Sequence, residues 1–214
     1  MKRIKREAAG AIMDKGRLIV FSGPSGVGKD TILKKLIESD DTVKLSISAT
    51  TRPKREYEEE GKDYYFLSED EFLKKVSENK MLEYAKYCSN YYGTPIEPIE
   101  RWTNEGVDVI LEIEVEGGQK VISQQKGVLS IFVMPPSFAV LKRRLEERKT
   151  DSEDIVLGRL NRAKEEISTA YKYDYIVVND DIDNCVDDIK AIIKADKLKY
   201  KNMKNFIDGV MAND

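Results

Sequence analysis

The chain has 214 residues, a formal net charge of −3 and a hydrophobic share of 41%, which suits one compact globular domain with smaller inserted parts. This small negative charge gives no electrostatic reason to expect a nucleic-acid polymer or an anionic membrane as a partner. No apolar run approaches the roughly 20 residues that span a bilayer, and the basic start at residues 1–6 lacks the apolar segment of a secretory signal. We expect a cytoplasmic protein that is a monomer or a homodimer.

The composition also limits the chemistry that the chain can perform. Its two cysteines, Cys88 and Cys185, lie far apart without a pairing motif, which indicates free thiols in a reducing compartment. The sequence contains no histidine, so the commonest general base and the commonest metal ligand are both missing. Any reaction must rely on carboxylates, cations and backbone amides.

Most predicted elements alternate between buried strands and helices. After a polar arm at residues 1–15, an apolar run at 17–22 predicts a strand, and an amphipathic helix runs from Lys29 to about Ser39. Further core strands are predicted at 107–112, 128–134 and 175–178, with helices at 137–148, about 151–170 and from about 182. This alternation predicts a three-layer α/β fold with a central parallel sheet. Residues 199–214 have weak periodicity and are predicted to form a fraying tail.

The segment from Thr42 to Thr94 differs from this pattern. Its short alternating stretches, at 44–49, 64–67, 82–87 and 91–94, predict a small mixed β region. One helix is predicted to begin near Ser68, because Ser68 and Glu71 have the spacing of a capping box.

The turn between the first strand and the first helix carries a phosphate-binding motif. Its residues are Gly23, Pro24, Ser25, Gly26, Val27, Gly28, Lys29, Asp30 and Thr31. Glycines allow consecutive backbone N–H groups to turn toward phosphate oxygens, the helix N-terminus adds its dipole, and Lys29 supplies a charge for the β- and γ-phosphates. Strand, loop, lysine and helix together predict a P-loop that binds a nucleoside triphosphate.

One position of this loop departs from the usual motif. Asp30 stands where a serine or threonine hydroxyl normally contacts Mg²⁺. Its carboxylate could bind Mg²⁺, directly or through water, or it could simply interact favourably with the helix dipole. Both interpretations remain open, and Thr31 is a lesser candidate for the metal contact.

A second set of motifs lies between residues 46 and 94. It comprises the segment from Ser46 to Arg55 (SISATTRPKR), then Glu58, Gly61, Asp63 and Tyr64, then Glu83, and finally the segment from Asn90 to Thr94 (NYYGT). Together with the P-loop, these motifs resemble the guanylate kinase family from about residue 17 to about residue 198. The resemblance implies ATP-dependent phosphorylation of GMP, and of dGMP, with Mg²⁺. It also implies a P-loop NTPase fold in which residues 16–198 hold an inserted GMP-binding region (about 46–95) and a helical lid (about 138–170).

The residue types suit an acceptor site for GMP. Arginines can fork onto phosphate oxygens and phenols can donate to them, and the resemblance assigns this role to Arg52, Arg55, Tyr64 and Tyr92. Guanine offers the adjacent donors N1–H and N2–H₂, both of which one carboxylate accepts, so Glu83 is the expected base reader. Adenine would leave that carboxylate unpaired. The resemblance places Ser48 and Thr94 near guanine O6.

Other site residues are predicted from the later strands and helices. Glu112 and Glu114 match an acidic pair that approaches the guanine, the ribose or the metal, although the family usually has Asp at the position of Glu114. The resemblance assigns Arg148 and Arg159 to the lid that reaches ATP and the transferring phosphoryl group. Asn179 matches a loop beside the adenine. The remaining arginines of the lid helices are expected to be solvated: Arg143, Arg144 and Arg162.

Two rival functions remain. Guanylate-kinase-like domains that bind peptides without kinase activity typically lose the phosphate cradle, whereas Gly23, Gly28 and Lys29 are intact here. A relative that phosphorylates a sugar phosphate should lack a base reader such as Glu83. Tyr57 stands where the family usually has Gly, and we expect this difference to alter the affinity for GMP.

Overall fold

A computed structural model describes residues 15–147 and 152–212 of the chain. In chain order the strands are β1 (Leu18–Ser22), β2 (Val43–Leu45), β3 (Ala49–Thr50), β4 (Tyr65–Phe66), β5 (Met81–Tyr87), β6 (Asn90–Pro95), β7 (Asp108–Glu112), β8 (Leu129–Met134) and β9 (Tyr175–Val178). The helices are α1 (Lys29–Ser39), α2 (Glu69–Ser77), α3 (Ile96–Asn104), α4 (Val115–Gln124), α5 (Phe138–Glu147), α6 (Glu153–Ser168), α7 (Ile182–Lys197) and α8 (Tyr200–Met211). Within these two ranges, no helix is long and apolar enough to cross a membrane.

The central sheet confirms the predicted three-layer α/β fold. Five parallel strands lie in the order β2, β7, β1, β8, β9. Alternate residues of β1 serve the two faces, since Ile19 and Phe21 pack with residues of α1 and α7, whereas Val20 packs with α3 and α4. Both faces of the sheet are therefore covered, as continuous apolar strands require. All carboxyl ends of the strands lie at one edge, which is where such sheets bind ligands.

The predicted mixed β region is a second sheet, with strand order β4, β3, β6, β5. Strands β5 and β6 form an antiparallel hairpin, and Phe72 of α2 stacks on Tyr91 with ring centroids 5.5 Å apart. The predicted capping box of α2 is present, since Ser68 and Glu71 each bond the other's backbone N–H. The stretch at 44–49 is not one strand. It divides between the sheets, because Leu45 pairs with Ile110 and Ala49 pairs with Gly93.

Helices α3 and α4 have no counterpart in the sequence-based prediction. α4 contains the poor helix former glycine at two consecutive positions, Gly117 and Gly118. Packing requires the second of them, because a Cβ at Gly118 would lie 2.7 Å from the hydroxyl of Ser22 and 2.9 Å from that of Tyr173. The loss of helix propensity thus allows α4 to lie close against β1.

From residue 138 onward the described chain contains four α-helices, and α8 (Tyr200–Met211) occupies most of the segment predicted as a tail at 199–214. α5 and α6 pack on each other through a small apolar cluster of their own that includes Leu141, Leu145 and Leu160. α8 continues to Met211, and its Asn202 donates to the backbone oxygen of buried Asp196 at 2.7 Å. The carboxylate of Asp196 in turn pairs with Arg17 at 2.8 Å. This pairing joins the last helices to the start of β1.

Candidate active site

The P-loop connects the end of β1 to the start of α1. Gly28 is the N-cap of α1 with φ +98°, a left-handed conformation that glycine adopts without strain. Lys29 opens the helix, and its ammonium group donates to the carbonyl oxygen of Gly23 at 3.1 Å. The first amides of α1 have no carbonyl partner inside the helix. The loop therefore presents a lysine charge and helix N-terminal donors at one place, an arrangement suited to an anion.

Two side chains from distant parts of the sequence, those of Asn179 and Arg144, hydrogen-bond to the backbone of the P-loop. Asn179 is 4% exposed, and its amide nitrogen donates to the carbonyl oxygen of Val27 at 2.7 Å. Arg144 donates to the same oxygen at 3.2 Å and to the carbonyl oxygen of Asn179 at 3.0 Å. The expectation that Arg144 is a solvated lid residue is wrong. No sequence signal marks this role, because Arg144 and Val27 are 117 positions apart.

A pair of carboxylates lies beside Lys29. Asp30 of α1 and Glu112 at the end of β7 are within hydrogen-bonding range of each other, and burial together with the negative charge of Asp30 raises the pKa of Glu112, against the opposing charge of Lys29. In the part of the chain that the structure describes, no three acidic, histidine or cysteine side chains form a larger metal-binding group. Two carboxylates and phosphate oxygens are nevertheless the hard ligands that Mg²⁺ prefers.

Helix α6, which belongs to the predicted lid, faces the P-loop across a cavity of about 440 Å³. Its lining comes from the loop, the strand end and the lid, namely Gly23, Ser25, Lys29, Glu112, Ile113, Glu114, Arg159, Arg162 and Glu166. Arg159 was predicted here, and Arg148 lies outside the described residues. Arg162 is 56% exposed, as expected for a solvated lid arginine, and it also pairs with Glu114 at 2.5 Å and with Glu166 at 3.0 Å. Its three-residue spacing from Arg159 places both arginines on one face of the helix, but it does not identify the partners of Arg162.

A second cavity of about 480 Å³ adjoins the first. Glu83 and Tyr92 of the β5–β6 hairpin line it, as do Ile113 and Glu114, which also line the first cavity. The hydroxyl of Thr94 donates to the carboxylate of Glu83 at 2.8 Å. Burial raises the pKa of Glu83, while this hydrogen bond acts in the opposite direction. A carboxylate in a partly dehydrated pocket can accept donors from a flat polar ligand.

The two predicted acceptor arginines lie in the loop after β3. Arg52 forms a bidentate ion pair with Glu58, and its guanidinium lies 5.0 Å from the ring centroid of Tyr64. Arg55 donates to the phenol oxygen of Tyr57 at 2.9 Å. Within the described ranges, positive φ occurs at only two non-glycine residues, Asn79 and Cys88, so Tyr57 carries no such strain. Glu58 was not assigned to the site from the sequence, although it belongs to the same motif.

Ser48 and Thr31 are not among the lining residues of either cavity. Ser48 immediately precedes β3, and its carbonyl oxygen accepts a hydrogen bond from the Tyr65 amide at 2.8 Å. Thr31 is exposed in the first turn of α1, next to Asp30. The two cavities thus bring together only some of the predicted residues. The first is lined by Gly23, Ser25, Lys29, Glu112, Glu114 and Arg159, and the second by Glu83, Tyr92 and Glu114. Arg52, Arg55 and Tyr64 are not among the lining residues of either one.

Comparison with known proteins agrees with this geometry. The guanylate kinase family model matches residues 15–196. The chain is 46% identical to the guanylate kinase of Caldanaerobacter subterraneus subsp. tengcongensis over 91% of this chain and 95% of that protein. It is also 46% identical to the guanylate kinase of Lactobacillus acidophilus over 89% and 94% of the two chains. The crystal structure of guanylate kinase from Anaplasma phagocytophilum superimposes with a TM-score of 0.65 at 37% identity, covering 87% of this chain and 88% of that one. The chain belongs to the guanylate kinase family.

Proposed function

We propose that this chain transfers the γ-phosphoryl group of ATP to the phosphate of GMP or dGMP, giving ADP and the guanosine diphosphate. The observation that carries the proposal is the pair of adjoining cavities. One is lined by the P-loop and by lid arginines, the other by Glu83 and Tyr92, and they meet at Ile113 and Glu114. Two such sites side by side allow a donor and an acceptor to meet directly, without a covalent enzyme intermediate.

The donor site is built from the P-loop. Its backbone N–H groups and Lys29 neutralise the triphosphate, and Arg144 and Asn179 keep the loop in shape from behind. A loop held in this way is organised before ATP arrives, which reduces the ordering cost of binding.

The acceptor site binds both the guanine base and the monophosphate of GMP. The carboxylate of Glu83 accepts from N1–H and N2–H₂ of guanine, and the donor from Thr94 fixes its orientation. Arg52, Arg55, Tyr64 and Tyr92 bind the monophosphate, with Arg52 already oriented by Glu58. AMP would leave the carboxylate of Glu83 without its donors, at a cost of about 1–3 kcal/mol for a buried unsatisfied group.

Phosphoryl transfer then requires charge neutralisation around the transferring group. Lys29 lies on the donor side and Arg159 on the lid, and both can stabilise negative charge that spreads over the phosphoryl oxygens. Arg148 is proposed for the same role on the basis of sequence alone. Closure of α6 would also exclude water, which protects the phosphoryl group from hydrolysis.

The proposed metal is Mg²⁺, held by Asp30 and Glu112 together with the nucleotide phosphates. Their proximity fits this role, since two carboxylates that share a site repel each other until a cation lies between them. When bound, Mg²⁺ would neutralise the β- and γ-phosphate oxygens of ATP.

Phosphotransfer assays with GMP, dGMP, AMP, UMP and CMP as acceptors test the proposal. We expect a clear preference for the two guanine nucleotides, and the substitution Glu83→Gln should reduce it more than it weakens ATP binding. Glu97→Gln is a matched control, because Glu97 lies in the first turn of α3 and lines neither cavity. A preference for another base would contradict the proposal, and activity absent with every acceptor would favour a peptide-binding module.

The cellular setting is part of the same proposal. We place the chain in the cytoplasm, as a monomer or homodimer that acts on free nucleotides rather than on a nucleic-acid polymer or at a membrane. Its net charge of −3 supports the choice of free nucleotides over a polymer or a membrane surface, because it provides no general attraction to polyanions. Light scattering after size exclusion would measure the assembly directly.

A further inference from the structure

Glu114 lies at the junction of the two cavities. It lines the one beside the P-loop and the one beside Glu83, and it is the N-cap residue of α4. Its carboxylate is 2.5 Å from a guanidinium nitrogen of Arg162 on the lid helix. An ion pair therefore connects Glu114, which lines the proposed acceptor cavity, to helix α6, which lines the proposed donor cavity.

Arg162 also forms a second ion pair, within its own helix. Its Nε donates to the carboxylate of Glu166 at 3.0 Å, and the side chain of Glu166 is only 14% exposed. Because Glu166 lies four residues further along α6, this second pair sets the direction of the guanidinium from within one helix. The planar guanidinium can bridge the two carboxylates, since its N–H donors point in fixed directions.

Glu114 needs this support because its side chain is long. Glutamate has one more rotatable bond than the aspartate common at this position in the family, and fixing such a bond on binding costs conformational entropy. A donor that already holds one carboxylate oxygen removes part of this cost. This ion pair uses Oε2 of Glu114, and Oε1 is the atom that would accept from a ligand in the cavity beside Glu83.

We propose that Arg162 is a positioning residue for the acceptor site, which holds Glu114 in the orientation that binds the guanine nucleotide. The inference rests on the proposed function. It assigns to Arg162 a role that acts through Glu114 and not through contact with the reacting atoms.

Isothermal titration calorimetry of the full chain with GMP in the absence of ATP measures this role without catalysis. We expect Arg162→Gln to raise the Kd for GMP about fivefold, which corresponds to about 1 kcal/mol and to the upper range for an exposed ion pair. The Kd for a non-hydrolysable ATP analogue should change by less than about twofold on the same scale. Arg143→Gln is the matched control, since Arg143 lies on α5 and, among the residues that the structure describes, pairs with Glu147 of its own helix, at 3.7 Å.

A double-mutant cycle separates positioning from a general effect on the lid. In a Glu114→Asp background the shorter carboxylate should depend little on Arg162, so that Arg162→Gln changes the Kd for GMP by less than about twofold. The inference is overturned if Arg162→Gln weakens GMP binding equally in both backgrounds, or if the single variant has an unchanged or lower Kd for GMP. It is also overturned if the ATP analogue loses as much affinity as GMP. If the unaltered chain fails to prefer GMP over AMP, it is the proposed function that has failed.

Discussion

The guanidinium of Arg52 donates two hydrogen bonds to the carboxylate of Glu58, six residues further along the chain. The side chains of this pair are only 13% and 6% exposed. The backbone N–H of Arg55 donates to the same carboxylate at 2.8 Å. Glu58 thus holds both predicted phosphate-binding arginines of the acceptor site, and the loop from 52 to 58 organises itself before a ligand binds.

The substitution Glu58→Gln should therefore weaken the acceptor site selectively. Glutamine keeps the size of the side chain, but it places an N–H₂ group against the donors of Arg52 and removes the compensating charge. We expect the KM for GMP to rise roughly tenfold, as for the loss of a charge-assisted hydrogen bond, with little change in the KM for ATP. Glu59→Gln is the control, because exposed Glu59 pairs with exposed Lys62. A similar rise for both substrates would argue against the assignment.

The same ion pair predicts how stability depends on pH. The hydrogen bond from Arg52 lowers the pKa of Glu58 from 4.5 to about 2 in the folded chain. A carboxylate whose pKa is lowered by folding stabilises the fold above its unfolded pKa, and this contribution is lost as the pH falls toward the folded pKa. The difference in urea midpoint between the unaltered chain and Glu58→Gln should thus be constant above about pH 5 and shrink from about pH 4.5 downward. A difference that grows on acidification would contradict this prediction.

Recognition of guanine should also be pH-dependent, through Glu83. Burial raises the pKa of this carboxyl group, and the hydrogen bond from Thr94 limits the rise. Protonated Glu83 can no longer accept both guanine donors, so kcat/KM for GMP should fall on the acid side. Thr94→Val removes the donor, which raises the pKa of Glu83 further and should move this fall to higher pH. Thr51→Val is the control, because Thr51 lies just after β3 and its hydroxyl oxygen accepts from the Tyr91 amide at 2.9 Å rather than contacting Glu83. A fall at the same pH in both variants would exclude the role of Thr94.

The P-loop should depend on a side chain that lies behind it. Asn179→Ala removes the shorter of the two hydrogen bonds that described side chains donate to the carbonyl oxygen of Val27, and it leaves the bond from Arg144, 3.2 Å in length. Loss of one hydrogen bond from an acceptor that keeps another partner costs about 0.5–1.5 kcal/mol. We expect lower thermal stability together with a KM for ATP raised roughly tenfold, and a smaller effect on the KM for GMP. Asn104→Ala is the control. Asn104 lies at the exposed end of α3, so this substitution should change neither the KM for ATP nor the KM for GMP.

The sequence predicted the parts of the molecule whose signals are local. Apolar runs identified β1, β7, β8 and β9, and Ser68 with Glu71 identified the start of α2. The P-loop and the acceptor motifs carry several residues each within a short span, so they could be found without tertiary information. The prediction treated residues 44–49 as one segment because the alternation continues through it, although the chain changes sheets there.

What the sequence could not predict depends on contacts between distant segments. α4 was missed because Gly117 and Gly118 lower its helix propensity, and only its packing against Ser22 explains Gly118. The roles of Arg144 and Arg162 require knowledge of what faces each helix, which three-residue spacing alone does not supply. Asn179 was expected at the adenine, and its amide donor is used by Val27 in the folded chain. Its contact with the nucleotide base stays a prediction.

Asp30 offers a test of the proposed metal site. If its carboxylate holds Mg²⁺ with Glu112, Asp30→Asn should raise the Mg²⁺ concentration for half-maximal activity about tenfold at saturating ATP, because one anionic ligand is lost. If Asp30 only interacts with the helix dipole, the same substitution costs ~0.3–1 kcal/mol of stability and leaves the Mg²⁺ requirement unchanged. Asp41→Asn, at an exposed position beyond the end of α1, controls for the change in charge. Because the amide keeps the shape of the carboxylate, titration of activity with Mg²⁺ distinguishes the two roles of Asp30 that the sequence left open.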